Sequence, residues 1–130
     1  MARGGIDFYG IGAQYATYEA DTALKSSVAA SGVGFAEGKA VVLTGSKKVS
    51  LGSSGNQLHG LVLKYENDDM LSVQFRGYAY FDGVSGSLPT AGTHRIAVVN
   101  GSGAVLASTS AVGRNEIVGV EGEKVIVLLG

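Results

Sequence analysis

The chain has 130 residues, no cysteine, and a formal net charge of −1 at pH 7. This length suits one domain with one modest core, and the lack of cysteine excludes disulfides and thiolate metal sites. Basic and acidic residues are scattered without a basic stripe that could follow a phosphate backbone, so we expect no nucleic-acid partner. No apolar run reaches the ~20 residues of a membrane-spanning helix. We therefore expect no membrane association, and the residues after Met1 predict no secretory signal.

Residues 1–33 differ in composition from the rest of the chain. Aromatic residues stand there among glycine, alanine and threonine, which favours an extended N-terminal arm. Ala20, Leu24 and Val28 are spaced four apart and Asp21 suits a helix start, so the arm is expected to include a helical turn or two. Glycine and alanine bury too little apolar area to offset ~1–2 kcal/mol per residue of backbone ordering, so the arm should become ordered only against a partner. The alternative is that this segment supplies ordinary strands to the domain.

From Gly34 onward the pattern becomes that of a β domain. Short runs rich in valine, isoleucine and leucine alternate with turn-forming clusters, which is typical of a small all-β sandwich or barrel. The predicted strands cover residues 39–44, 47–51, 58–65, 70–81, 94–99, 103–107, 116–121 and 123–129. We therefore predict an N-terminal arm over residues 1–33 and a β domain over residues 34–130.

Two of these strands carry more specific signals. Leu71, Val73 and Phe75 alternate with polar residues, which predicts one buried and one exposed face. Gly77 interrupts the same strand and predicts a bulge where the facing of side chains can switch. The run 125–129 is apolar on both faces, so we expect it to lie centrally in the sheet or against another subunit.

A weak internal repeat runs through the β domain, with copies at 38–62 and 92–120. Each copy consists of an apolar run, a glycine-containing turn, a second short run, a polar loop and a glycine that opens another apolar run. In the second copy Asn100-Gly101 predicts a two-residue type I′ hairpin turn. The unit is strand, turn, strand, used twice, and we predict that both copies pack around a common core.

The residues that could carry chemistry do not form a recognisable site. The glycine-rich segment 32–39 lacks the glycine and hydroxyl positions of a phosphate-binding loop. His59 and His94 are the only histidines and show no ligand-type spacing, so a partly exposed histidine beside a strand is the favoured interpretation. The acidic cluster 66–69 lacks the alternation of a calcium loop. We expect no enzymatic activity, no cofactor and no bound metal.

Tyrosine and phenylalanine concentrate in two stretches, 8–18 and 75–81. Tyrosine combines an apolar ring with a polar hydroxyl and is enriched at protein interfaces. In the second stretch we interpret Phe75 and Phe81 as core residues. In the arm, where no core pattern exists, we expect the aromatic residues to contact a partner. The predicted partner-binding residues are Phe8, Tyr9, Tyr15 and Tyr18.

Three segments together resemble capsid decoration proteins of tailed bacteriophages, also called head-stabilising or cement proteins. Residues Glu37-Gly38-Lys39-Ala40-Val41-Val42-Leu43 resemble the strand that follows an EG-x-AV turn in these proteins. Gly60-Leu61-Val62 is similar to their GLV or GVA strand, and Val73-Gln74-Phe75-Arg76-Gly77-Tyr78 to a valine-rich strand ending in glycine and an aromatic residue. The resemblance covers roughly residues 34 to 129. The N-terminal arm is similar in kind to the arms with which such proteins reach neighbouring capsid subunits.

The resemblance implies a virion structural protein that binds the outer surface of a bacteriophage head and stabilises the major capsid protein lattice. It implies a homo-oligomer made in the cytoplasm of the host bacterium, and no cofactor. Glycine-punctuated apolar strands leave edges that closed symmetry covers, so we expect a symmetric homo-oligomer, with a trimer favoured over a dimer. Two other classes stay open: another phage structural component, such as a tail, fibre or head-closure protein, and a small ligand-binding β-barrel.

Overall fold

The structure, a computed structural model, describes residues 12–66, 69–89, 96–108 and 115–130. These residues form one α-helix, α1 (Thr22–Ser31), and one short 3₁₀ helix, Val33–Ala36. The strands are β1 (Gln14–Ala20), β2 (Ala40–Gly45), β3 (Lys48–Ser50), β4 (Gly60–Tyr65), β5 (Met70–Asp82), β6 (Ile96–Val99), β7 (Val105–Ser108), β8 (Glu116–Glu121) and β9 (Lys124–Leu129). The predicted all-β class is confirmed, since each predicted strand overlaps one of β2 to β9.

The first five strands close into a barrel. They follow the order β1-β3-β2-β4-β5, and β5 pairs again with β1 to complete the ring. Only the β1–β3 pairing is parallel; the other four are antiparallel. The interior is filled by one hydrophobic cluster, called here the first cluster, which contains Ala20, Leu24, Val28, Ala36, Val41, Val49, Val62, Tyr65, Leu71 and Val73.

The long strand β5 continues past Gly77 and begins a second five-stranded unit. Its residues 77–82 pair with β9, and the order continues through β8 and β6 to β7. A parallel bridge from Gly83 to Val105 brings the ends of this unit together. The interior is the second cluster, which contains Ala79, Phe81, Ala97, Val99, Val105, Ile117, Val125, Val127 and Leu129, and also Ala40, Val42, Leu58 and Leu61 of the first unit.

The two units have the same topology, which extends the internal repeat found in the sequence. Strands β2, β3 and β4 correspond to β6, β7 and β8. The second half of β5 takes the place of β1, and β9 takes the place of the first half of β5. Equivalent residues make equivalent contacts, because Ala20 pairs in parallel with Val49 just as Gly83 pairs in parallel with Val105. The sequence repeat is thus part of a larger unit that occurs twice.

The correspondence extends to the irregularities of the sheet. The β4–β5 pairing shifts register between Val62 and Lys64, and the β8–β9 pairing shifts between Ile117 and Gly119. Gly119 is therefore the counterpart of Lys64. The sequence repeat instead aligns Gly119 with Gly60, which lies four residues away.

Strands β2 and β4 form a wall that is buried on both faces. Val41 and Val62 belong to the first cluster, whereas Ala40, Val42 and Leu61 belong to the second. Burial on both faces explains why these strands are continuous apolar runs without alternation. The two copies of the repeat share the second cluster, and the first copy also encloses a separate core.

The described part of the predicted arm belongs to the barrel. Strand β1 pairs with β5 along its length and with β3 at its end, and α1 buries Leu24 and Val28 in the first cluster. Asp21 caps the helix as expected, because its Oδ1 accepts a hydrogen bond from the Leu24 N–H at 3.0 Å. For residues 12–33 the structure therefore differs from the predicted arm and its boundary at residue 33. It agrees with the alternative in which this segment supplies elements to the domain.

Gly77, the predicted irregularity in β5, is the joint between the units. Its φ is +90°, and a Cβ there would lie 2.5 Å from the carbonyl carbon of Gly12. The buried Gln74 donates from Nε2 to the carbonyl oxygens of Arg76 and Tyr78, at 3.0 and 3.1 Å. These bonds satisfy backbone acceptors on both sides of the glycine.

Two local predictions need correction. Phe75 is only half-buried and lies outside both clusters, whereas Phe81 is fully buried. The β6–β7 connection is longer than a two-residue type I′ turn. Its Asn100 Oδ1 accepts hydrogen bonds from the N–H groups of Ser102 and Ala104, so the side chain shapes a wider loop.

Replacing Leu24 tests whether α1 is part of the fold. Leu24 is 1% exposed, so we expect Leu24→Ala to lower the free energy of unfolding by about 3 kcal/mol, the usual cost of truncating a core leucine. Leu43→Ala is the matched control, because Leu43 is 54% exposed. Equilibrium denaturant unfolding measures both free energies. Equal effects of the two substitutions would contradict the burial of α1 in the core and would support the predicted arm over residues 22–31.

A second pair of substitutions tests the joint at Gly77. Gly77 and Gly55 have nearly the same φ, +90° and +91°, but a Cβ at Gly55 meets nothing within 4 Å. Gly55→Ala should therefore cost only the backbone strain, about 1 kcal/mol. Gly77→Ala should cost at least about 2 kcal/mol more, because the backbone of Gly12 must move. Similar losses in denaturant unfolding would refute the close contact of the two strands.

Candidate interaction surface

Tyr15 and Tyr18 lie in the described part of the chain, whereas Phe8 and Tyr9 lie outside it. Both tyrosines are on β1, but three positions apart, so strand alternation places them on opposite faces. Tyr15 is outside the barrel and 56% exposed. Tyr18 is half-buried and packs against the first cluster. Of these two predicted contact residues, only Tyr15 presents its ring to the exterior.

Tyr18 makes a specific polar contact within the molecule. Its hydroxyl lies 2.8 Å from Nε2 of His59, and the two rings meet edge to face with centroids 5.1 Å apart. His59 is half-buried and lies immediately before β4, in agreement with the expected histidine beside a strand, while His94 lies outside the described residues. The pair ties β1 to the segment that enters β4, so Tyr18 has a structural role here.

The shared topology allows the outer walls of the two units to be compared position by position. In the first unit Tyr15 lies opposite Gln74, and Thr17 opposite Ser72. At the equivalent places of the second unit Tyr78 lies opposite Leu128, and Tyr80 opposite Ile126. Tyr78 is therefore the counterpart of Tyr15. The first wall is otherwise polar, whereas the second is aromatic or aliphatic at all four positions.

The outer surface of β9 and the second half of β5 is called here the β5–β9 face. Leu128 is 37% exposed, and Tyr78 and Tyr80 are half-buried. Ile126 is only 3% exposed although its strand neighbours, Val125 and Val127, fill the opposite face. The residues of this face are Arg76, Tyr78, Tyr80, Asp82, Lys124, Ile126 and Leu128.

Charged residues border the β5–β9 face at its two ends. At one end Asp82 accepts a short hydrogen bond from Nζ of Lys124, and both side chains are more than half exposed. At the other end Arg76 is exposed, and its side chain lies beside Gly130. The aromatic and aliphatic centre is thus flanked by charges of opposite sign along β5.

An open cleft of about 510 Å³ adjoins the β5–β9 face. Its lining includes Tyr80 and Lys124 of this face, together with Leu61 and Leu63 of β4. Leu63 is 38% exposed, so apolar surface extends from the face into the cleft. A smaller recess of about 200 Å³ lies beside Leu43 and His59.

The buried polar groups are occupied by structural bonds. Nδ2 of Asn115 donates to the Leu58 carbonyl at 2.6 Å, and its Oδ1 accepts from the Gly130 N–H. The Tyr65 hydroxyl donates to Oδ1 of Asp69 at 2.7 Å. Burial, followed by this hydrogen bond and the charge of Asp69, raises the pKa of Tyr65 above its ordinary value. These hydrogen bonds hold neighbouring segments of the chain together.

The described residues contain neither a cluster of metal ligands nor a membrane-spanning helix. Across residues 12–66, 69–89, 96–108 and 115–130, no group of three or more metal-ligating side chains could hold an ion. The helices in these ranges are too short and too polar to span a membrane. No known family model matches the chain, and no characterised protein matches its sequence.

The sequence analysis missed the β5–β9 face as a surface, although two signals for it were present. The run 125–129 is apolar on both faces, and of its two predicted placements the structure shows the central one, between β5 and β8. Tyr78 and Tyr80 alternate with the core residues Ala79 and Phe81, which places the tyrosines outside. Joining these signals required the β5–β9 pairing, which the sequence alone does not reveal.

Removing the two tyrosine hydroxyls separately tests their different roles. Tyr18→Phe should lower the free energy of unfolding by about 1 kcal/mol, because the hydrogen bond to His59 is lost. Tyr15→Phe should change it by less than about 0.5 kcal/mol, because Tyr15 is largely exposed. Thermal and denaturant unfolding of both variants measure the difference. A Tyr15→Phe effect as large as that of Tyr18→Phe would contradict the assigned geometry.

Proposed function

We propose that the protein is a virion structural protein that binds the outer surface of a bacteriophage head and stabilises the major capsid protein lattice. It acts as a homo-oligomer, without catalysis or a cofactor. The observation that carries the proposal is the exposed ring of Tyr15 on a strand of a closed barrel. An aromatic side chain fixed on a rigid scaffold binds a partner at low entropic cost.

The three segments that resemble decoration proteins support this proposal through their placement. Residues 37–43 lead into β2, residues 60–62 begin β4, and residues 73–78 lie in β5. These strands are neighbours in the order β2-β4-β5. The resemblance therefore falls on one continuous part of the barrel wall.

The physical mechanism requires only binding. A protein that binds the assembled lattice, and not dispersed subunits, stabilises the lattice by mass action. Many copies on one head make modest individual contacts sufficient. Tyr15 would supply an aromatic contact on the outer wall of β1, while Tyr18 and His59 hold that strand in place. Phe8 and Tyr9 remain predicted contact residues.

A small ligand-binding barrel is the second candidate, and one observation favours it. The cleft of about 510 Å³ combines Leu61, Leu63 and Tyr80 with the charged Lys124, which is the mixture found in small-molecule sites. The interior of the barrel is filled by the first cluster, so a ligand would have to use this open cleft. Saturable binding of a small molecule there, without head binding, would favour this candidate.

Co-sedimentation with heads of tailed bacteriophages that lack their decoration protein tests the proposal. Tyr15→Ala should weaken head binding about tenfold or more, because buried aromatic anchors commonly contribute ~2 kcal/mol. Leu43→Ala is the matched control, since it truncates another highly exposed apolar side chain. Both variants should melt like the original chain.

Two results would contradict the proposal at different levels. If the original chain binds no head, the assignment as a decoration protein fails, and electron microscopy for rings, needles or fibres would test the other phage structural classes. If Tyr15→Ala binds heads as tightly as the original chain, the function survives but Tyr15 is not the contact.

A further inference from the structure

We propose that the β5–β9 face is a homotypic interface, through which two copies of this chain pack face to face about a two-fold axis. This inference stands apart from head binding, because it concerns the free protein. It rests on two observations, the apolar character of the face and the order of its charges.

Comparing the outer side chains of the two units shows which residue types this strand pairing can carry. Thr17, Ser72 and Gln74 occupy the outer wall of the first unit, and their counterparts in the second unit are Tyr80, Ile126 and Leu128. The same strand pairing therefore forms with a polar outer wall. The barrel does not require aliphatic residues at these places, although Gln74 is itself buried and Ile126 is only 3% exposed within one chain. The apolar surface that a second copy would cover therefore consists of Leu128, which is 37% exposed, and the half-buried Tyr78 and Tyr80.

The order of side chains along β5 identifies a second copy as the occupant. Arg76, Tyr78, Tyr80 and Asp82 occupy the β5–β9 face in this order, with a positive charge at one end and a negative charge at the other. A two-fold axis perpendicular to the strand brings Arg76 of each copy opposite Asp82 of the other. The same rotation places tyrosine against tyrosine in the centre, so the stripe is complementary to itself.

Lys124 fits the same arrangement. It already contacts Asp82 within one copy, so Asp82 would lie between Lys124 and Arg76 of the second copy. Two sheets that pack face to face lie ~10 Å apart, a spacing that the tyrosine and leucine side chains can fill. The sequence favours a trimer, whereas this face has the self-complementary pattern of a two-fold contact.

Measuring the mass of the full chain in solution tests the interface. We expect light scattering and sedimentation at micromolar concentration to give about twice the chain mass of 13.2 kDa. The double variant Tyr80→Thr with Leu128→Gln carries the residues of the first unit at these positions. Its dimer dissociation constant should be at least about tenfold higher than that of the original chain. Leu128→Gln alone is the conservative second variant, and Leu43→Gln, at an exposed leucine elsewhere, is the matched control.

Charge reversal tests the two-fold geometry itself. Arg76→Asp and Asp82→Arg should each weaken self-association, because each places like charges opposite one another. A mixture of the two variants should form heterodimers, since an aspartate of one variant then faces an arginine of the other at both contacts. Native mass spectrometry can count these species, because the variants differ in mass.

Each outcome decides the proposal. Dimers of the original chain, weakened by Leu128→Gln and restored in the mixture of charge variants, support it. A monomer at all concentrations overturns it, as does a trimer or a dimer that no substitution on this face weakens. If the chain is monomeric and Leu128→Gln reduces head binding, the face belongs to a capsid contact, and the homotypic proposal is wrong while the proposed binding to heads stands.

Discussion

The wall formed by β2 and β4 is the feature on which the rest of the structure depends. Its two faces serve two different cores, with Val41 and Val62 on one side and Ala40, Val42 and Leu61 on the other. In the first unit, α1 contributes Leu24 and Val28 to the interior. In the second unit, part of the interior is filled by Ala40, Val42 and Leu61, which lie on the outer face of the wall. The second unit therefore cannot bury its core without the first, which predicts that the two unfold together even though each has the strand order of a separate barrel.

The same five-stranded unit serves different purposes in its two positions. Inside, equivalent places carry similar residues, because both interiors must be filled: Leu71 and Val73 correspond to Val125 and Val127. Outside, the two walls differ. The first is polar beside its exposed Tyr15, whereas the second is aromatic or aliphatic. Since packing constrains the inner positions and the outer face of the β2–β4 wall, the remaining outer positions can make contacts with other molecules.

The strands of residues 39–129 could be predicted because each is a short apolar run bounded by turn residues. An irregularity near Gly77 could be predicted because glycine readily adopts a positive φ; the register shift itself falls one step earlier, between the pairings of Gln74 and Arg76 with β1. β1 could not be distinguished in the same way. Its inward positions include small alanines such as Ala20, which complete the interior without an aliphatic pattern, so the composition of this segment resembles that of an arm.

Closure of the barrel and the double burial of β2 depend on pairings between distant segments, and no local pattern specifies these. The exposure of Tyr15 and the burial of Tyr18 follow from alternation once β1 is known to be a strand.

The equivalence of the units also separates aromatic residues that face a core from those that lie outside both clusters. Tyr18 corresponds to Phe81, and both face a core, so an aromatic ring at this place is a requirement of the unit. The hydroxyl of Tyr18 is an addition that His59 accommodates. Tyr15 corresponds to Tyr78, and neither ring belongs to a cluster, so the core does not account for a tyrosine at either position. The two proposed contact surfaces each contain one of these tyrosines, Tyr15 in the proposed head contact and Tyr78 in the proposed contact with a second copy. Because the two surfaces lie on the outer walls of different units, each can be altered without changing the packing that supports the other.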